Sequence, residues 1–263
     1  EGAKDNPRFL LHEIKDHRRH AVSFALFSHD GSFIVTGSTD RTIGVFDANL
    51  LDTKTALMHK VKTEMDHVTN ASLSRNNKFL IASLERENTI VVFGISLKKD
   101  KLGKASRHLK TFPPTHAPFQ LINSVSISHD DHFILSGNEA VVHLLSIKGD
   151  LLAQIDPKQS KIHKAVFSPT ENVIAIATNV QVGFWKIEED KKTNQFKEVV
   201  PFFNLKKDAH SDAVIDIAFG PLGDKVATTS QDGSWKLWNI AVRHHLGEEA
   251  KCLANVRLDG VPF

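Results

Sequence analysis

The stretch HSDAVIDIAFGPLGDKVATTSQDGSWKLWN, residues 210–239, divides into three short apolar runs separated by two turns. The runs Val214–Phe219, Lys225–Thr229 and Ser234–Trp238 have the length and composition of β-strands. Gly220, Pro221 and Gly223 mark the first turn and Asp232–Gly233 the second. These residue types fix or tolerate the backbone angles that tight turns need.

The same layout recurs upstream. HAVSFALFSHDGSFIVTGSTDRTIGVFD (20–47) places Asp30–Gly31 in its first turn and Thr39–Arg41 in its second. Weaker copies are DHVTNASLSRNNKFLIASLERENTIVVF (66–93), INSVSISHDDHFILSGNEAVVHLLS (122–146) and KIHKAVFSPTENVIAIATNVQVGFWKI (161–187), with polar turns at Ser74, Ser128 and Ser168. The last apolar residue of each first strand is Phe27, Leu73, Ile127, Phe167 or Phe219, spaced by 46, 54, 40 and 52 residues. A blade of a β-propeller repeats every ~40–45 residues, and extra length goes into loops. The charged segments 97–110 and 188–198 supply that extra length and are expected to be loops. Leu151–Ile155, Val199–Phe203 and Cys252–Leu258 supply fourth strands.

Phe33–Ile34–Val35 and Val173–Ile174–Ala175–Ile176 are apolar at consecutive positions. A strand with one wet face alternates, whereas one covered on both faces need not. Stacked blades cover both faces, so the expected fold is all-β, a propeller of about five four-stranded blades. A β-sandwich would not need its turn chemistry to repeat in register. Two regions follow: a segment 1–19 and a propeller over 20–263.

Composition agrees with a packed fold. Of 263 residues, 41% are hydrophobic and 24% charged, and the formal net charge is +2. So weak a field gives no general argument for nucleic acid. The lysines of 98–110 have the charge for RNA or acidic lipid, but Asp100 dilutes them and no aromatic residue interleaves to stack on bases. Cys252 is the single cysteine, so no internal disulfide forms and no cysteine-rich zinc site exists. Fifteen histidines are present, yet none stands in an H-E-x-x-H arrangement. Phosphate-binding glycine loops are also absent, so neither metal nor cofactor is expected. The chain opens on Glu1 rather than Met and is taken as an excised piece.

The unit that opens on His210 and ends Trp238–Asn239 resembles the WD-repeat family. That resemblance implies a hydrogen-bonded His, Ser/Thr, Asp and Trp inside a blade. By position these are His210, Thr228, Asp232 and Trp238 in the last unit. In the first they are His17, Thr36 and Asp40, with Phe46 replacing Trp. The loop holding His17 has one extra residue. The middle units have no Asp at the turn position, although the fourth keeps Trp185. A His, a hydroxyl and an Asp also suggest a hydrolase triad. However, these residues occupy structural repeat positions and no G-x-S-x-G elbow occurs, so the expected protein is not an enzyme.

DRTIGVFD (40–47), IKGDLLAQI (147–155), FKEVVPFFNLK (196–206) and QDGSWKLWN (231–239) resemble, in this order, the transducin beta-like branch of the family. The resemblance implies seven blades, an amino-terminal anchor in the endoplasmic reticulum membrane, and a role in the unfolded-protein response through a stress-sensing kinase. It further implies that Phe9–Ile14 closes the ring, that two blades lie outside this chain, and that the end sheets are exposed and prone to association. The expected function is a scaffold for protein partners. An adaptor in ribosome biogenesis or ubiquitin ligation is the alternative. Contacts are expected at loop residues the core does not need: Arg18, Arg19, Arg41, Glu85, Arg86, His163, Asp212 and Gln231.

Overall fold

The structure, a computed structural model, describes residues 13–14, 16–17, 20–50, 57–63, 66–86, 88–95, 106–112, 121–158, 160–190, 192–193, 195–205 and 209–257. They form five four-stranded antiparallel sheets whose strands pair in chain order. The first blade is β1 (Val22–Phe27), β2 (Phe33–Ser38), β3 (Thr42–Asp47) and β4 (Leu57–Lys62). The second is β5 (Val68–Leu73), β6 (Phe79–Leu84), β7 (Ile90–Ile95) and β8 (Ser106–Phe112). The third is β9 (Ser124–Ile127), β10 (Phe133–Gly137), β11 (Val142–Ser146) and β12 (Leu151–Ile155). The fourth is β13 (Ile162–Phe167), β14 (Val173–Thr178), β15 (Val182–Glu189) and β16 (Phe196–Asn204). The fifth is β17 (Val214–Phe219), β18 (Lys225–Ser230), β19 (Ser234–Asn239) and β20 (Lys251–Arg257).

The five anchor residues end the five first strands, and each faces the residue seven positions on: Phe27 opposite Ile34, Leu73 opposite Leu80, Ile127 opposite Ile134, Phe167 opposite Ile174, and Phe219 opposite Val226. A register irregularity also recurs where the third strand meets the fourth. It falls at Val45/Phe46, Val92/Phe93, Leu144/Leu145, Phe184/Trp185 and Leu237/Trp238. Such bulges sharpen the local twist, so every blade is twisted at the same level. The sheets form a β-propeller arc, with successive first strands side by side from β1 through β17.

Two segments expected to be loops contribute strands. Residues 106–110 lie in β8, and 188–189 and 196–198 extend β15 and β16. Outermost strands are covered on one side only and tolerate charged residues, which explains why core periodicity missed them. The expected ring-closing strand lies outside the described residues, apart from Glu13 and Ile14, which are not in a strand. Among the described residues, no helix is long and apolar enough to cross a membrane.

The core lies between blades. Phe33, Val35, Ile43 and Val45 of the first blade pack against Val68, Ala71 and Leu73 of β5. Ile81, Ile90 and Val92 meet Ile122, Val125 and Ile127 in the same way, and the next interface buries Ile162, Ala165 and Phe167. In the last, Val214 and Ile217 are buried while Phe219 is half-buried. The equivalent trio on β1, Val22, Ala25 and Phe27, is exposed, with Phe27 at 70% against 7% for Leu73. Polar bonds reinforce the third interface: the amides of Ala165 and Phe167 donate to the hydroxyls of Ser124 and Ser126, both at 3.1 Å.

Candidate functional site

Antiparallel order puts each second-to-third-strand turn at the same end of the molecule as the connections between blades. The amides of Thr39, Glu85, Asn179 and Gln231 donate to the carbonyls of Ala21, His67, Lys161 and Ala213, tying turn to connection in four blades. This upper end carries Asp40 and Asp232 of the expected blade networks, together with Arg41, Glu85, Arg86 and Gln231.

In the fifth blade His210 Nδ1 lies 3.0 Å from Asp232 Oδ2 and Nε2 lies 2.7 Å from Thr228 Oγ1. Trp238 Nε1 donates to the same hydroxyl at 3.0 Å. A neutral imidazole with its proton on Nδ1 satisfies every partner: it donates to Asp232 and accepts from Thr228, which accepts from Trp238. Burial lowers the His210 pKa and outweighs the opposing pull of Asp232. Burial pushes the Asp232 carboxyl up, but hydrogen bonds from Ser234, Ser211 and His210 win and hold it well below its ordinary value.

The first blade repeats the arrangement. His17 Nδ1 is 2.8 Å from Asp40 Oδ2 and Nε2 is 2.9 Å from Thr36 Oγ1. Phe46 supplies no indole N–H. Burial pushes Asp40 up, yet hydrogen bonds from His17 and Thr42 outweigh it and leave its pKa lowered. Trp185 sits apart from any such chain: Ile176 stands where Thr228 does, and the Trp185 ring packs over Gly183 against the third interface. A nucleophilic role needs an accessible hydroxyl, and Thr228 is fully buried. Among the described residues no group of three or more His, Cys, Asp or Glu is placed to hold a metal.

The blades without a turn Asp cap their turns by other means. In the second blade Asp66, 2% exposed, accepts from the amides of His67 and Arg86 at 2.7 and 2.8 Å. Asn138 Oδ1 accepts from Ala140 and Val141 in the third, and Thr178 Oγ1 from Val180 and Gln181 in the fourth. Asp66 carries a sequence signal of its own: it stands two residues before Val68, as Asp212 stands before Val214. At the opposite, lower end, Ser28, Ser74 and Ser128 each donate to an Asp or Asn two residues on and accept the amide of Phe33, Phe79 or Phe133. The sequence marked these serines only as turn residues.

Of the expected contact residues, Arg41, Arg86, Asp212 and Gln231 are exposed at the upper end. Glu85 is half-buried, and half-buried His163 bonds Asn179 Oδ1 through Nε2. Arg18 and Arg19 lie outside the described residues.

The sheet order defines a β-propeller, and its first and fifth blades carry imidazole–hydroxyl–carboxylate chains. The family model described as "WD domain, G-beta repeat" matches residues 8–47 and 203–239, the two units that carry those chains. The chain is similar to transducin beta-like protein 2 of Homo sapiens, 28% identical over 255 residues, and to that of Mus musculus, 26% identical over 253. These alignments cover 96% and 95% of this chain and 56% of each relative, so the chain spans about half the length of the curated relatives it matches. A solved structure described as "Crystal structure of RRP9 WD40 repeats" superposes with a TM-score of 0.64 at 15% identity, covering 91% of this chain and 64% of that one.

Proposed function

We propose that this propeller is a non-enzymatic scaffold whose upper end holds partner proteins. Its partner is a stress kinase of the unfolded-protein response, bound at the endoplasmic reticulum membrane through an anchor outside this chain. One observation carries it: the imidazole–hydroxyl–carboxylate groups of the first and fifth blades are bonded inside those blades, while Arg41, Arg86, Asp212 and Gln231 are exposed at turns and connections with fixed backbones. Side chains displayed from a rigid frame are suited to recognition. The similarity to transducin beta-like protein 2 directs the choice of partner.

Affinity capture with the full-length parent protein, from stressed and unstressed cells, tests this. Stress-dependent recovery of the kinase, lost in an Arg41→Ala/Arg86→Ala/Gln231→Ala variant with unchanged melting, is expected. Recovery of ribosome-assembly factors, ubiquitin-ligase subunits or RNA in place of the kinase would overturn the kinase assignment.

A further inference from the structure

The lower end of the arc carries a second site. Two residues past each anchor stand His29, Arg75, His129, Pro169 and Pro221, one from every blade. The repeat therefore gathers three basic or imidazole side chains from consecutive blades and two prolines from the others. All five line one cavity of about 280 Å3 at the inner ends of the first strands. Its wall is apolar at Leu73, Ile127 and Phe167.

Three side chains of this cavity have unused hydrogen-bonding capacity. His129 Nδ1 is buried without a hydrogen-bond partner. His29 Nε2 makes only a long contact, 3.4 Å, with the Leu73 carbonyl. Arg75 Nη1 donates to the Pro169 carbonyl across the mouth, which leaves most of the guanidinium's five N–H groups available. The acids of the adjacent turns do not line the cavity; Asp131, at its margin, has a buried Oδ1 without a hydrogen-bond partner and lies within electrostatic reach of His29. Asp30 accepts from Ser28 and Ser32, Asp130 from Ser128 and Asn172, and Asp131 from Asn76. With no carboxylate in the lining itself, this imidazole–guanidinium set calls for an anionic oxygen group.

We infer that this cavity receives a carboxylate side chain from an acidic peptide segment of a partner, with flanking apolar residues on the proline and leucine wall. A cavity this small holds one or two side chains rather than a larger molecule. The apolar wall and Leu222, 73% exposed beside Pro221, have no use for a free inorganic ion. The inference rests on the scaffold reading and adds a second face to it.

Fluorescence polarisation with a labelled peptide of alternating Glu and Leu, and its Gln/Leu twin, tests the site. The Glu peptide binds saturably, and the Gln twin roughly tenfold more weakly. Arg75→Gln and His129→Gln each weaken the Glu peptide by a similar factor, while Lys192→Gln, the same change in kind away from the cavity, does not; melting curves confirm that all fold. Equal binding of the two peptides, or no effect of Arg75→Gln, overturns the proposal. So does displacement of the peptide by inorganic phosphate with a matching Arg75 dependence, which would mark a free-oxyanion site. Peptide binding without capture of any cellular protein defeats the scaffold reading alone. Cellular capture that survives Arg75→Gln, with no peptide binding, defeats this inference alone.

Discussion

His210 Nε2 and Thr228 Oγ1 meet at 2.7 Å in the interior of the fifth blade, and this hydroxyl is also the partner of the Trp238 indole. Replacing Thr228 by Val keeps the shape and strands two buried polar groups. Unfolding in urea should show a loss of about 1–3 kcal/mol, with Thr228→Ser recovering most of it. Equal stability of the Val variant would show that the chain of bonds adds nothing.

Acid should weaken this blade in two stages. The folded pKa of His210 is below its ordinary 6.5, so the unfolded chain takes up the proton first. Stability from the neutral imidazole is present above pH 6.5 and is lost as pH falls toward the lower folded value. Asp232 and Asp40, both depressed from 3.8, contribute stability that is lost as pH falls below that value. Urea midpoints measured from pH 8 to pH 3 should fall in these two windows, and His210→Gln should flatten the first. A midpoint that rises on acidification would contradict the assignment.

Phe27 and Leu73 hold the same repeat position with opposite surroundings. Leu73→Ala empties an interface and should cost about 2–5 kcal/mol. Phe27→Ala should stay within about 0.5 kcal/mol. Chemical denaturation of the two variants compares them directly; equal losses would mean that the β1 face is covered in solution.

Asp66 serves two backbone amides from a buried position. Asp66→Ala should lower stability by about 1–3 kcal/mol and speed hydrogen exchange at the Arg86 amide. An unchanged Arg86 exchange rate would show that the turn is held without it.

The strands of the fold were legible because burial between blades writes apolar residues at consecutive positions, as in Val173–Ile176, and because turns demand Gly, Pro and Asp. The outer strands were harder. Ser106–Phe112 carries the charges of an edge strand, and nothing in its pattern separates it from a loop. Of the polar chains, those of His210 and His17 followed from the match to a repeat motif. The caps at Asp66, Asn138 and Thr178 did not, since a turn amide accepts any nearby oxygen and the residue supplying it differs in each blade. The lower cavity was hidden for another reason. His29, Arg75 and His129 lie 46 and 54 residues apart, and only alignment of the repeats on their anchors brings them to one ring.

The hydroxyls of Ser124 and Ser126 hold amides of β13, and Asn123 Nδ2 donates to the Ile162 carbonyl at 2.9 Å. The carbonyl of Glu139 takes the Ile162 amide at 2.8 Å. The third and fourth blades are thus laced by directional bonds along a shared seam, in addition to apolar contact. Under tension applied at the chain's ends, such a seam loads several bonds at once. These two blades would part late and together, forming the mechanical clamp of the arc.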